Sequence, residues 1–316
     1  MNNKIFNLNI EDFAKIFGVK KENISKKCIE IINSRDFRYQ HFTKNQRDKI
    51  ILDLLKKIEL QKFSLSGEGK TNRWEKGWGE ILDNFIESGY NKKSLIPQYN
   101  RDGQPIRLFG DYVKTQDGYF ENNWVQLLRT FIFDSYFKDK KNIYEFGCGT
   151  GYNLLSFAEM QSNKSYYGYD WVPQSEQIIN LIRKKLNYKV YGGVFDMFNP
   201  DYDLEVENDK SVILTFGAIE QLGKKYDKFL QFMLNKPFCL YVHINSILEL
   251  YDTKNNISDY IAYKIETNRN YLNGYFTKLK KLEQKGIIRI IKMHRIPLGG
   301  LIMDGYSLTV WEKIKK

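Results

Sequence analysis

The sequence predicts an α/β protein: a seven-stranded, mostly parallel sheet with an antiparallel last strand, preceded by a mainly helical region. Three observations predict it. From Asn142 onward, short β-rich runs alternate with stretches of helical periodicity, which is the texture of a parallel sheet covered on both faces. A glycine-rich turn, Gly147-Cys148-Gly149-Thr150-Gly151, joins the first of these strands to the first of these helices. The first 135 or so residues lack that alternation and read mainly as helices. The boundary falls after residue 138. Residues 1–138 then form a cap or substrate-recognition region, and residues 139–316 form the sheet domain.

In the N-terminal region, Thr43-Lys44-Asn45-Gln46 caps a helix that runs to about Leu60. Ile50, Ile51, Leu54, Leu55 and Ile58 supply its one-sided apolar stripe. Residues 64–70, rich in Ser and Gly, predict a mobile loop. Residues 97–115 contain Asp102-Gly103 and Phe109-Gly110, which predict turns and a small hairpin. Residues 120–137 predict a helix built on Trp124, Leu127, Leu128, Phe131 and Ile132. The region is rich in aromatics, among them Trp74, Trp78, Tyr99 and Tyr112; these either fill a core or stack on a ligand. Arg101, Arg107 and Asp111 lie just before the sheet domain in chain order and are candidates to close over its site.

In the sheet domain the predicted strands are 143–146, 165–169, 188–195, 211–216, 238–244, 287–295 and 306–312. The predicted helices are 152–160, 174–186, 226–234 and 259–284. The last of these carries Ile261, Ile265, Leu272, Tyr275, Leu279 and Leu282 at steps of three and four, interrupted by polar Arg269 and Asn270. The final two strands follow each other with no helix between them, so one of them runs antiparallel.

Composition narrows the function. The chain has 316 residues, 42% apolar and 28% charged, with six prolines. Disordered and collagen-like classes are excluded. No window approaches 18 uninterrupted apolar residues, and Met1–Asn9 lacks the apolar core of a secretory signal. Cys28, Cys148 and Cys239 are far apart and form no CxxC pair, so neither a disulfide scaffold nor a zinc site is predicted, and a reducing cytoplasm fits. The net charge of +11 is spread along the chain instead of being gathered in one arm. An even spread favours solubility over a nucleic-acid groove.

The motif that carries chemistry is Glu145-Phe146-Gly147-Cys148-Gly149-Thr150-Gly151. Glycines at every second position let the backbone turn tightly and approach a ligand, and the helix that follows offers free amides. Asp170 ends the next strand, 19 residues after Gly151, where a carboxylate can accept from both ribose hydroxyls. Asp196 ends the third strand between Phe195 and Met197, where it can accept from an exocyclic adenine amine. Glu145 precedes the first glycine. Its charge suits a cationic methionine moiety and would repel a pyrophosphate.

This arrangement resembles the class I S-adenosylmethionine-dependent methyltransferases, with their Rossmann-like sheet and reversed last strand. The resemblance covers about residues 142–316. It implies S-adenosyl-L-methionine as cofactor and S-adenosyl-L-homocysteine as product. It places Gly147, Gly149 and Gly151 at the methionine and ribose parts, Asp170 at the ribose hydroxyls, Trp171 beside the adenine, and Asp196 with Met197 at its amine. Cys148 is read as a small filler within that loop.

The acceptor side is expected at the carboxyl ends of the fourth and fifth strands. There Phe216-Gly217-Ala218-Ile219-Glu220-Gln221 and His243-Ile244-Asn245-Ser246 follow. His243 is a candidate general base or a hydrogen-bonded strand-end residue. Glu220 is a candidate base, an orienting group for a polar acceptor, or part of a turn cap. His294-Arg295 ends the sixth strand, and Arg295 either clamps an anion or pairs with a local acid. The pattern loosely resembles bacterial enzymes that methylate sugars or other small molecules. Two alternatives stand beside that reading: an RNA- or protein-directed methyltransferase, and a non-catalytic S-adenosylmethionine-binding regulator.

Overall fold

The computed structural model describes residues 4–97, 104–207, 210–302 and 305–314. Tyr99, Arg101 and Asp102-Gly103 lie outside the described residues. In the N-terminal region the chain forms β1 (Phe6–Asn7), α1 (Ile10–Phe17), α2 (Lys26–Ser34), β2 (Arg38–His41), α3 (Lys44–Glu59), α4 (Asn72–Glu87), β3 (Ile106–Leu108), β4 (Asp111–Thr115) and α5 (Phe120–Ile132). A π-helical turn, Phe133–Phe137, extends α5. The capping predicted for α3 is present: the Thr43 hydroxyl accepts from the Gln46 amide, and the Gln46 side chain accepts from the Thr43 amide. The predicted hairpin is β3–β4. Phe109 and Gly110 form its two-residue turn with φ of +50° and +83°, the pairing that matches the twist of the flanking strands.

The second part of the chain forms β5 (Asn142–Phe146), α6 (Tyr152–Met160), β6 (Ser165–Asp170), α7 (Pro173–Leu186), β7 (Val190–Val194), β8 (Ser211–Phe216), α8 (Asp227–Asn235), β9 (Leu240–Asn245), α9 (Ile257–Asn268), α10 (Tyr275–Gln284), β10 (Ile288–Arg295), β11 (Leu298–Gly299) and β12 (Ser307–Lys313). Seven of these strands make one sheet in the order β10-β12-β9-β8-β5-β6-β7. Strands β5 to β9 are parallel, and β12 runs antiparallel to both of its neighbours. The chain winds outward from β5 through β6 to β7, then restarts at β8 on the other side of β5. The switch point therefore lies between β5 and β8, where ligands bind in open α/β sheets.

Two expectations are corrected and one is extended. The helix predicted over 259–284 is two helices. Asn270 takes φ of +58° and Gly274 φ of +82°, left-handed conformations that end one helix and start the next. The apolar stripe survives the break because Tyr271 and Leu272 in the connection are still buried. The N-terminal region is mainly helical, as predicted, and beyond the predicted hairpin it takes part in a five-stranded sheet of order β1-β2-β4-β3-β11. Its last strand comes from the β10–β12 connection, so the sheet crosses the boundary at residue 138. The core crosses it too. Phe13, Phe17, Trp124 and Phe131 are continuous with Leu154, Ile179, Val212 and Ile244. The second correction concerns residues 64–70. The Ser66 amide donates to the Arg269 carbonyl (2.9 Å), its hydroxyl to Gln221 Oε1 (2.6 Å), and Asn270 Nδ2 donates to its carbonyl (3.2 Å). The loop is a strap tied across the second half of the molecule. Among the described residues no helix is long and apolar enough to cross a membrane.

Candidate cofactor and acceptor site

The glycine turn follows β5 and opens α6. Its Gly147 and Cys148 amides donate to the Tyr169 carbonyl at the end of β6 (2.7 and 3.0 Å), which ties the two strand ends together. Gly147 and Gly149 have φ of +77° and +53°. A Cβ on Gly147 would overlap the Ala218 side chain, and one on Gly149 would stand 2.9 Å from the Trp78 indole. Both conformation and space therefore require glycine here.

Asp170 at the tip of β6 is buried. One carboxylate oxygen accepts from the Gly149 amide (2.8 Å) and the other from the Val172 amide (3.3 Å). Burial pushes its carboxyl up to about 6. Each oxygen keeps a second lone pair for a ligand hydroxyl. Trp171 stacks on Phe198 with ring centroids 5.8 Å apart. Asp196 holds the turn after β7, accepting from the Phe198 amide (2.8 Å) and from Asn199 Nδ2 (3.1 Å). The Met197 methyl lies 3.7 Å from a Cβ position on Gly147. The structure thus brings together Gly147, Gly149, Asp170 and Met197, with Trp171 and Asp196 alongside through Phe198.

Glu145 is fully buried at the end of β5. Its Oε1 accepts from Asn153 Nδ2 (2.7 Å), and Oε2 has no partner among the described residues. Burial pushes this carboxyl up to about 8. Gly151 starts α6 in a left-handed conformation and packs on Ile179. Cys148 is buried, with its thiol pushed well up by burial, which fits a filler and not a nucleophile.

Across the switch point, β8 is followed by Gly217 and Ala218 and then a 3₁₀ turn, Ile219–Leu222. Glu220 in that turn is 1% exposed, and its Oε2 has no partner among the described residues. Burial is the main cause that pushes its carboxyl up to about 8; Glu266 adds to the rise and Arg269 opposes it. A Cβ on Gly217 would stand 3.7 Å from Glu220 Oε1 and 3.4 Å from the Tyr306 hydroxyl. Because Ala218 abuts Gly147, the Glu220 turn and the glycine loop are neighbours. The Arg269 guanidinium lies over the Tyr271 ring at 4.4 Å. The Ser66 strap covers this side through Gln221.

His243 is corrected. It is wholly buried in β9, with Nδ1 2.7 Å from the Thr215 hydroxyl and Nε2 3.3 Å from the Tyr275 hydroxyl. Burial pulls its imidazole down to about 3, so the ring is neutral, and both nitrogens are engaged inside the core. The geometry is that of a packing residue and not of a proton acceptor for a substrate. Arg295 makes a bidentate pair with Asp259, each contact 2.6 Å, which is the local-acid alternative. Arg107 is buried and donates to the Ser258 carbonyl, while Asp111 pairs with Arg47. Neither closes over the glycine loop.

Sequence reasoning missed Trp78, Ser66, Arg129, Asn153 and Glu266 as parts of this region. Trp78 was visible only as one aromatic among many. Arg129 did leave a signal: it stands in α5 among Leu127, Leu128, Thr130 and Phe131, all buried, where a lone cation is unusual.

No family model matches the chain. One curated relative, the HTH-type transcriptional activator RhaS of Mannheimia succiniciproducens, is 30% identical over 169 residues, covering 49% of this chain. The chain spans 60% of that relative's length. Among solved structures, the [4+2]-cyclase SpnF is 10% identical over 80% of this chain and 98% of its own, with a TM-score of 0.51. A geranyl diphosphate C-methyltransferase from Streptomyces coelicolor is 10% identical over 74% and 98%, with a TM-score of 0.47. The sheet order and the likeness to the cyclase show the fold, an open Rossmann-like sheet of the kind that S-adenosylmethionine-dependent methyltransferases have. A structure named as a cyclase shares this fold, so the fold alone does not name the reaction.

Proposed function

We propose that the protein transfers a methyl group from S-adenosyl-L-methionine to a hydroxyl of a small polar acceptor, such as a sugar. One observation carries the reading. Ala218 and Trp78 pack so closely on Gly147 and Gly149 that no side chain fits there, the buried Glu145 before this loop keeps one oxygen without a partner among the described residues, and Glu220, in the turn that Ala218 brings beside the loop, keeps another. The first pair of features fits a nucleoside bearing a cationic tail, and the second fits an acceptor that must lose a proton.

In this reading Asp170 orients the ribose hydroxyls with the lone pairs its backbone bonds leave open. Asp196 accepts from the adenine amine, with Trp171 and Met197 at the ring. The sulfonium supplies an already activated methyl group, so the chain's work is positioning. Glu220, as carboxylate, would take the acceptor's hydroxyl proton as the oxygen gains the methyl group, the methyl–sulfur bond breaks and neutral S-adenosylhomocysteine leaves. Its raised pKa makes the base form scarce below about pH 8, so turnover should rise through neutrality. The strap at Ser66 and the helix carrying Trp78 shield the site, which suits an acceptor of modest size better than a long polymer.

The test uses methyl-labelled S-adenosylmethionine with lysate fractionated into RNA, protein and low-mass pools. Label in the low-mass pool, lost with Glu220→Gln, supports the reading. Label in RNA or protein overturns the acceptor class.

A further inference from the structure

We infer that Arg269, backed by Arg73, forms a subsite for an oxyanion on the acceptor, so that the molecule methylated carries a phosphate or a carboxylate besides its hydroxyl, as a sugar phosphate or a sugar acid does. The inference rests on the methyl-donor reading above and narrows its acceptor from a polar molecule to an anionic one.

The cluster is assembled from the end of α9, the turn after β8 and the first turn of α4. Arg269 follows α9 directly, and its guanidinium lies 4.4 Å from the ring centroid of the buried Tyr271. The Ser66 amide donates to the Arg269 carbonyl (2.9 Å), and the Ser66 hydroxyl donates to Gln221 (2.6 Å). The strap thereby fixes the Arg269 main chain beside the turn that carries Glu220. From α4, the exposed Arg73 lies over the Trp74 ring at 4.3 Å, and Trp74 stacks on Trp78 at 5.4 Å. Trp78 packs on Gly149, so this aromatic row leads from the glycine loop outward to Arg73. Burial pushes the Tyr271 phenol up; Arg269 opposes the rise, Glu220 adds to it, and Arg73 opposes it. All three charged groups therefore act on one phenol.

Glu220 Oε2 and Arg269 Nε each lack a partner among the described residues. An acid and a guanidinium this near to each other usually pair directly. Held apart, they offer one ligand an open acceptor and an open donor. A hydroxyl suits the first and an oxyanion the second. A guanidinium stacked flat on an aromatic ring uses its face, keeps its N–H edge for an oxyanion, and is held in place before the ligand arrives. Glu220 keeps its proton up to about pH 8, so below that it does not repel an oxyanion beside it. The half-buried Trp74 offers a ring face close to the same subsite, which suits the apolar side of a sugar.

Two measurements separate the subsite from the reaction. In the first, inorganic phosphate is titrated into the wild-type protein and followed by tryptophan emission, with sodium chloride at matched ionic strength beside it. Phosphate should give a saturable response that chloride does not. Its Kd should rise about 10- to 100-fold in Arg269→Met, the range for a hydrogen bond to a charged group. Arg73→Met changes an exposed position where folding is not at stake, and should weaken phosphate by about two- to fivefold. Equal responses to phosphate and chloride overturn the subsite. In the second, methyl-labelled product from the low-mass pool is passed over an anion exchanger. Retained label that phosphatase or phosphodiesterase releases identifies a phosphate. Retained label that resists both and is released by carboxyl esterification identifies a carboxylate. Either supports the inference, and label found only in unretained, neutral material overturns it while methyl transfer stands. In Arg269→Met, KM for the retained acceptor should rise by the same factor as the phosphate Kd, with S-adenosylhomocysteine affinity unchanged. Parallel loss of both shows a structural role and overturns the assignment. No label in any pool, beside an intact phosphate response, overturns the methyl-donor reading and leaves the oxyanion subsite standing.

Discussion

The Trp78 indole lies against Gly149: a Cβ on that glycine would stand 2.9 Å from Trp78 Cζ2. The contact joins α4 of the N-terminal region to the loop that opens α6, and α4 in turn packs on α7. The N-terminal region thus packs directly on the glycine loop. Gly149→Ala meets two penalties at once. The left-handed backbone costs an alanine about 1–2 kcal/mol, and the methyl group must displace the indole. S-Adenosylhomocysteine affinity should fall at least about tenfold by calorimetry. An unchanged Kd would show that the loop does not approach the ligand.

Glu220→Gln should separate stability from activity. An ordinary glutamic acid loses its proton near 4.5, and burial holds this one to about 8. Between those values the folded state binds the proton and the unfolded state releases it. Stability therefore falls as pH rises from about 4.5 to 8 and levels off above. The amide removes that loss. At pH 8.5 the variant should be the more stable protein, by on the order of a few kcal/mol, while kcat drops by roughly 10²- to 10⁴-fold. Thermal unfolding at pH 5 and 8.5, beside initial rates, checks both. A wild-type kcat would remove Glu220 from proton transfer.

His243→Ala should behave in the opposite way. The imidazole titrates at about 3 when folded and near 6.5 when unfolded. The neutral ring is favoured by the fold, so stability is lost as pH falls from 6.5 towards 3. Removing the ring breaks its contacts with Thr215 and Tyr275 and should cost about 2–3 kcal/mol. Turnover at neutral pH, measured below the variant's Tm, should stay within about threefold of wild type, far less than loss of a general base produces. A loss of 100-fold with normal stability would restore the histidine as base.

Arg295→Met should cost about 3 kcal/mol, because it leaves the Asp259 carboxylate, 3% exposed, without its bidentate partner. Asp259 also accepts from the Asp252 amide (2.8 Å), so the charge has a local reason to stay. The double variant with Asp259→Asn should recover part of that cost in urea unfolding. Strict additivity of the two single losses would show that the pair is not coupled.

The glycine loop, Asp170 and Asp196 were legible because their spacing is local: each ends or follows a strand whose apolar run is visible. The strand limits were legible for the same reason. β8 spans residues 211–216, as its run of Val, Ile, Leu and Phe predicts. The break between α9 and α10 was not, because the apolar steps of three and four continue across it, and only the left-handed Asn270 and Gly274 interrupt the backbone. β11 was invisible, since two residues carry no periodicity and pair only because β3 lies beside them.

Periodicity and glycine spacing were enough to determine the sheet, its reversed last strand and the glycine turn between β5 and α6. Those are properties of neighbouring residues, and local sequence encodes them. Burial and pairing across the fold decided the rest. His243 lies near the end of β9 and Glu220 just after β8, towards the same edge of the sheet, and nothing in their sequence neighbours distinguishes them. Packing places the histidine between Thr215 and Tyr275 and leaves the glutamate with an open oxygen. Arg129 and Glu145, 16 residues apart in sequence, share Asn153 only because α5 and α6 pack together. The cost of burying a polar group depends on what surrounds it in space, and that is set by the folded chain.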